Sequence, residues 1–222
     1  MDGGRYPHTA KCKPFLLIQY LLNALNLRNK VYRPLPGNLG IESRAFGFLF
    51  ISIAIAVLTG TIINEFLSTH GVPIYYQLLS WILVFALILG ITFTKMNNLF
   101  QSIRNRMKNS LKWPLHAKII NGLSWAGPFL AIPIFHPFSQ YLILLGIGTG
   151  NISTFFLIKY YSNYKNKEQF IVGIIAIIMI PVLFLVDVLL TSVLVHQHVL
   201  ALSRIFVAIS YGVGGIYALN ER

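Results

Sequence analysis

Charge is scarce in this chain, and acid is scarcer than base. Only 11% of the 222 residues are charged, where an ordinary soluble domain has about 25%. Six residues are acidic against eighteen Lys and Arg. Such a composition excludes a soluble globule, while the 55% hydrophobic content excludes disorder, which needs low hydrophobicity. A single cysteine, Cys12, excludes a disulfide framework and any zinc site built from several thiolates. The sequence also lacks His-Glu-x-x-His, Gly-x-Ser-x-Gly, a phosphate-binding lysine loop and the Thr-Val-Gly-Tyr-Gly filter of potassium channels.

What is present in quantity is apolar length. A bilayer core of about 30 Å needs about 20 apolar residues at 1.5 Å rise each. Six runs meet that length, roughly Ala45 to Leu67, Pro73 to Thr94, Ala117 to Phe135, Phe138 to Ile158, Gln169 to Thr191 and Val199 to Ala218. They lack the alternation of barrel strands, and lipid-facing backbone must pair within its own segment, so they are predicted to be helices. The expected fold is an all-α integral membrane protein with six transmembrane helices in three antiparallel hairpins.

Basic residues set the expected orientation, because Lys and Arg collect in short cytoplasmic loops. Segment 1–44 carries seven, segment 95–118 six and segment 159–168 three, while the three opposite connections carry none. With Arg222, 17 of the 18 lie on one side and only Arg204 falls inside a span. Both termini are therefore expected in the cytoplasm, at the cell membrane. Topology accounts for the basic excess without nucleic acid, and the counter-charge it implies is anionic lipid headgroups.

Two further helices are expected to lie in the interface. In Phe15 to Leu27 the polar residues Gln19, Asn23 and Asn26 share one helical face, which argues against a signal peptide or a span. In 96–113 an apolar stripe through Leu99, Phe100, Ile103 and Met107 runs beside Arg104, Arg106, Lys108 and Lys112, the residues expected to contact anionic lipid. Residues Tyr32 to Ile41 hold two prolines and two glycines and read as a turn-rich tether. The chain thus divides into a cytoplasmic segment 1–44, a transmembrane domain 45–218 and a tail 219–222.

Polar and helix-breaking residues inside the spans are the candidates for function. Asp187 and Arg204 sit at equal distance from a turn at Val195-His196, so they share one depth and are expected to pair. Pairing offsets the cost of a lone intramembrane charge, at least about 2.5–3.5 kcal/mol. Gly146, Gly150, Asn151 and Ser153 in the fourth span, with Gly212 and Gly214 in the sixth, mark either a small-residue packing face or a polar path. Because Gly146-Ile-Gly-Thr-Gly-Asn151 lies inside an apolar span, it is not a phosphate cradle. Gly127, Pro128 and Pro133 are expected to kink or break the third helix. His70, His196 and His198 collect at the base-poor end and are candidate metal ligands, although alternate residues such as His196 and His198 point apart on a helix. The tyrosines and tryptophans near span ends read as an interfacial belt. No cofactor is implied.

Together these features lead to an expected component of a membrane transport system, permeating alone or within a larger assembly. An accessory or scaffolding subunit is the alternative, in a membrane complex or as a homo-oligomer, because close helix packing uses most of the same residues. An integral membrane enzyme is the third reading, weakened by the lack of converging catalytic groups.

Overall fold

The computed structural model describes residues 39–96, 101, 104, 113–162, 166–190 and 196–220. These are helical almost throughout, in six long helices: α1 (Leu39–Thr69), α2 (Ile74–Lys95), α3 (Leu115–Ala131), α4 (Ser139–Ser162), α5 (Lys167–Leu190) and α6 (His196–Asn220). A short 3-10 turn, His136–Phe138, leads into α4. Five stretches are long and apolar enough to cross a membrane: Ser43–Thr69, Ile74–Lys95, His136–Tyr161, Lys167–Leu189 and His198–Asn220. The protein is therefore a multi-pass membrane protein by length and composition.

The third predicted span is the exception. Instead of running from Ala117 to Phe135, α3 stops at Ala131 after 17 residues, about 26 Å at 1.5 Å each. The chain then tightens into turns in which Ile132 donates to the Phe129 carbonyl and Phe135 to the Ala131 carbonyl. Pro133 explains the stop, having no N–H to donate and a ring that crowds the preceding turn. Pro128 lies within the helix and does not end it. Gly122 and Gly127 have nothing within 4 Å of where a Cβ would stand, so they make no close helix contact.

The predicted tether is also shorter than expected, because Leu39 to Ile41 already belong to α1. Beyond Pro36 no proline intervenes, and one glycine costs a helix only about 1 kcal/mol. At its other end α1 closes with a glycine cap. Gly71 takes a positive φ of 67°, Gly71 N–H donates to Ser68 O at 3.0 Å and Val72 N–H to Leu67 O at 3.0 Å. This 5→2 and 6→1 pattern satisfies the last carbonyls and reverses the chain within a few residues. Pro73 then caps α2.

Helix α1 packs on α2 and α6, α6 also on α5 and α4, and α4 also on α3 and α5. The core accordingly belongs to α1, α4, α5 and α6, around Phe50, Leu144, Val172, Leu183, Val207 and Tyr211. No residue of α2 is buried, and in α3 only Ala117 is. Large apolar side chains such as Ile62, Ile82, Leu123 and Leu189 are exposed, as lipid-facing positions are.

Two glycine pairs bring core helices together. A Cβ on Gly47 of α1 would lie 2.9 Å from the Gly215 carbonyl of α6. One on Gly173 of α5 would lie 2.8 Å from the Gly148 carbonyl of α4 and 3.0 Å from the Ile152 nitrogen. Small residues are what allow helix backbones to approach so closely in membranes, where van der Waals packing replaces the hydrophobic effect as the drive for association.

Candidate functional site

The expected Asp187 to Arg204 pair is not formed, because each residue is turned toward different neighbours. Asp187 lies in the last turn of α5, where its Oδ2 accepts the Tyr141 hydroxyl at 2.5 Å and the Gln140 Nε2 amide at 3.4 Å. Both donors stand in the first turn of α4, a place where free backbone N–H groups and the aligned peptide dipoles favour a nearby anion. The residues on this flank border an open recess of about 540 Å³, with Phe138, Tyr141, Pro181 and Phe184 on its walls beside Gln140 and Asp187. Gln140 is 2% exposed. Its Oε1 has no hydrogen-bond partner among the described residues.

Arg204 belongs to a second polar cluster, between α1, α2 and α6. Its guanidinium stands over the Trp81 ring at 5.4 Å from the centroid, within the field of the Glu65 carboxylate. Trp81 in turn donates its indole N–H to Asn64 Oδ1 at 3.2 Å, and its ring fills the space that a Cβ on Gly60 would take. Glu65 also meets His198 Nδ1 at 2.8 Å. A cation over a tryptophan face gains about 0.5–2 kcal/mol depending on desolvation, so Arg204 combines an aromatic face with a nearby carboxylate.

The glycine-rich residues of α4 and α6 make helix contacts. A Cβ on Gly146 would strike Phe129 at 2.7 Å, and Gly150 faces Trp125, both from α3. Gly214 faces Val172 of α5, whereas Gly212 has only Ala54 Cβ at 3.8 Å. The polar groups cross the same contacts. Ser153 and Thr154 donate to Asn121 Oδ1 at 3.0 and 2.8 Å, Trp125 N–H donates to Thr154 at 3.0 Å, and Asn151 donates to the Tyr211 hydroxyl at 3.3 Å. Asn121, unremarked in the sequence, is thus the acceptor that ties α3 to α4.

Among the histidines, the His70 ring stacks at 4.2 Å on Phe66 and its Nδ1 is 2.8 Å from the Phe66 carbonyl. His198 is taken by Glu65, and the His196 side chain lies outside the described residues. No group of three or more His, Cys, Asp or Glu side chains able to share a metal occurs among the described residues. Of the expected lipid-contact residues Arg104 is exposed, while Arg106, Lys108, Lys112 and the N-terminal amphipathic helix lie outside the described residues. In the aromatic belt Tyr75, Tyr76 and Tyr160 are exposed, whereas Trp113 is buried.

Two signals could have led to these clusters from sequence. Glu65 and Trp81 flank the α1–α2 turn at depths comparable to Arg204, and Gln140 with Tyr141 opens α4 at the depth where α5 ends. No protein-family model, curated protein or solved structure matches the chain.

Proposed function

We propose that the protein is a component of a membrane transport system and that the recess at Asp187 takes part in cargo handling. The observation supporting this reading is a carboxylate held by Tyr141 and Gln140 beside an open recess on the flank of a membrane helix bundle. Intramembrane ionisable groups are costly and concentrate where substrates or ions pass. Reconstituted in liposomes with the partners that co-purify, the protein should raise cation flux above that of empty vesicles. Asp187→Asn keeps the shape but removes the charge, and should reduce that flux about tenfold or more. Unchanged flux in the variant would remove Asp187 from the route.

An accessory role is favoured by a separate observation. The centre between α1, α4, α5 and α6 is packed with mostly apolar side chains around the buried Asn151–Tyr211 hydrogen bond and closed by the Gly47–Gly215 and Gly148–Gly173 contacts. Any cargo path along the bundle axis is thereby obstructed, which supports a route shared with a larger assembly over permeation by this chain alone. No flux from the complete assembly, with partners retained, would favour the scaffold.

In this proposal six segments cross the bilayer as three hairpins, with α3 and the turns that follow it completing the shortest crossing. The 17-to-1 distribution of basic residues supports cytoplasmic termini at the cell membrane, with Arg104, Arg106, Lys108 and Lys112 against anionic headgroups. Thr69 and Asn220, both exposed at opposite helix ends, give a direct check. A single cysteine replacing Thr69 should react with an impermeant thiol reagent added to intact cells, and one replacing Asn220 should react only after permeabilisation. The reverse pattern would invert the orientation.

A further inference from the structure

We infer that Arg204 and Trp81, between α1, α2 and α6, form a binding site for an oxyanion, a carboxylate or phosphate, that carries an apolar tail. The site lies apart from the Asp187 recess, which is bordered by α4 and α5, and it does not depend on the transport reading.

The chemistry follows from what the half-buried Arg204 side chain is given and what it is not. Trp81 faces the guanidinium at 5.4 Å from the ring centroid. A ring attracts a cation but has no lone pair to offer, so the planar fork of N–H donors is left wanting oxygens. Among the described residues none accepts a hydrogen bond from that fork. Glu65 is near enough for its field to be felt, but its Oε1 is taken by His198 Nδ1 at 2.8 Å, and it forms no ion pair with Arg204. Nor are the donors sealed in, since the fully enclosed side-chain polar atom without a partner among the described residues is Gln140 Oε1. The guanidinium nitrogens are therefore unmatched and reachable.

Position accounts for the tail. Arg204 is eight residues past His196, where α6 begins, and Trp81 is seven past Ile74, where α2 begins. At 1.5 Å each these are about 12 and 10 Å along their helices. The Glu65–His198 and Ser43–Ala218 contacts place the start of α6 where α1 ends, and α2 starts there too. Helical side chains lean toward the N-terminus, so both reach back toward that end, as a snorkelling arginine does from an apolar span. On α2, Leu78 and Ile82 close to Trp81 in sequence are 59% and 65% exposed, apolar surface for a hydrocarbon chain.

An oxyanion meets every part of this set. It brings negative charge to Arg204 and paired oxygens to its fork, while its chain stays in the apolar layer. An amine would meet like charge, and an alcohol would leave the guanidinium without a counter-ion. The oxyanion can come from a phospholipid headgroup or from a free amphipathic acid.

The probe is decanoate, titrated at pH 8 against the full-length protein in a nonionic detergent, below the concentration at which decanoate forms micelles. It should bind about tenfold or more tighter than decanol, which has the tail without the charge. Arg204→Gln should remove that preference. Arg204→Lys, which keeps the charge but not the fork, should weaken decanoate about threefold. Glu65→Gln should tighten it about threefold by removing a like charge from the surroundings. Equal binding of decanoate and decanol by the unaltered chain would overturn the proposal, as would a preference that survives Arg204→Gln. The first comparison needs no substitution, so it decides even if a variant fails to fold.

Dihexanoylphosphatidylcholine, added below its own micelle concentration, distinguishes the two sources. Displacement of decanoate assigns the site to phospholipid headgroups, and decanoate retained assigns it to free acids. None of these measurements involves flux or Asp187, so the failure of either reading leaves the other standing.

Discussion

Gly173→Val should destabilise the protein by about 2–3 kcal/mol, lowering its unfolding temperature in detergent more than most single changes do. Even the first carbon of the new side chain would lie 2.6 Å from Ile152 Cγ1, 2.8 Å from the Gly148 carbonyl and 3.0 Å from the Ile152 nitrogen. Side chains can rotate away from such a clash, but backbone atoms of a neighbouring helix cannot. Relief requires α4 and α5 to move apart, and that separation loosens Leu144, Val172 and Leu183, all fully buried. Gly215→Val should act similarly between α6 and α1, where the Gly47 carbonyl is 2.9 Å away and the Ile51 nitrogen 3.0 Å. Gly212→Ala provides the contrast, since its Cβ would meet only Ala54 at 3.8 Å. There the better helix propensity of alanine should prevail, giving up to about 1 kcal/mol of added stability. Thermal unfolding of the three variants by differential scanning measures all of this. Equal losses at Gly173 and Gly212 would show that the helix contacts are not as described.

Glu65→Gln should produce the second large effect, a loss of about 2 kcal/mol, by leaving the Arg204 guanidinium without its carboxylate in a partly buried position. The cost stays below that of a fully buried ion because Trp81 still offers its face. Loss of the contact to His198, which is 47% exposed, adds little, since exposed ion pairs contribute about 0–1 kcal/mol. In Arg204→Gln together with Glu65→Gln no stranded guanidinium remains, so much of the loss should return. Asp187→Asn with Arg204→Gln should instead give the sum of the single losses within about 0.5 kcal/mol, because among the described residues Asp187 bonds Tyr141 and Gln140 whereas Arg204 meets Trp81 and Glu65. Strong coupling in the second cycle and none in the first would reverse the assignment of partners made here.

Those two cycles also separate what could be read along the chain from what could not. Asp187 and Arg204 were expected to pair because both lie eight or nine residues from the same turn. Counting residues gives distance along a helix, at 1.5 Å per residue. It does not give direction around the helix axis relative to neighbours. Helix α6 lies between α1 and α5, so one of its residues can face the α1–α2 side, as Arg204 does toward Trp81, while Asp187 on α5 faces α4. The third helix differs for another reason, since hydropathy continues through Pro133 but the hydrogen-bond ladder does not.

By itself, the order of residues determined that the described segments are helical and that five of them are apolar enough to cross a membrane, where most of those helices begin and end to within a few residues, and where along the chain the basic residues collect. Each of these follows from terms local in sequence: apolar length, proline and glycine, and charge near helix ends. Tertiary structure alone decided which glycines carry helix contacts, that Asn121 ties α3 to α4, and that Asp187 belongs with Gln140 and Tyr141. Gly47 with Gly215 and Gly148 with Gly173 look no different in sequence from Gly122 and Gly127, which touch nothing. The difference lies in the rotation and crossing of neighbouring helices, which emerge from packing many side chains at once and are written in no single segment.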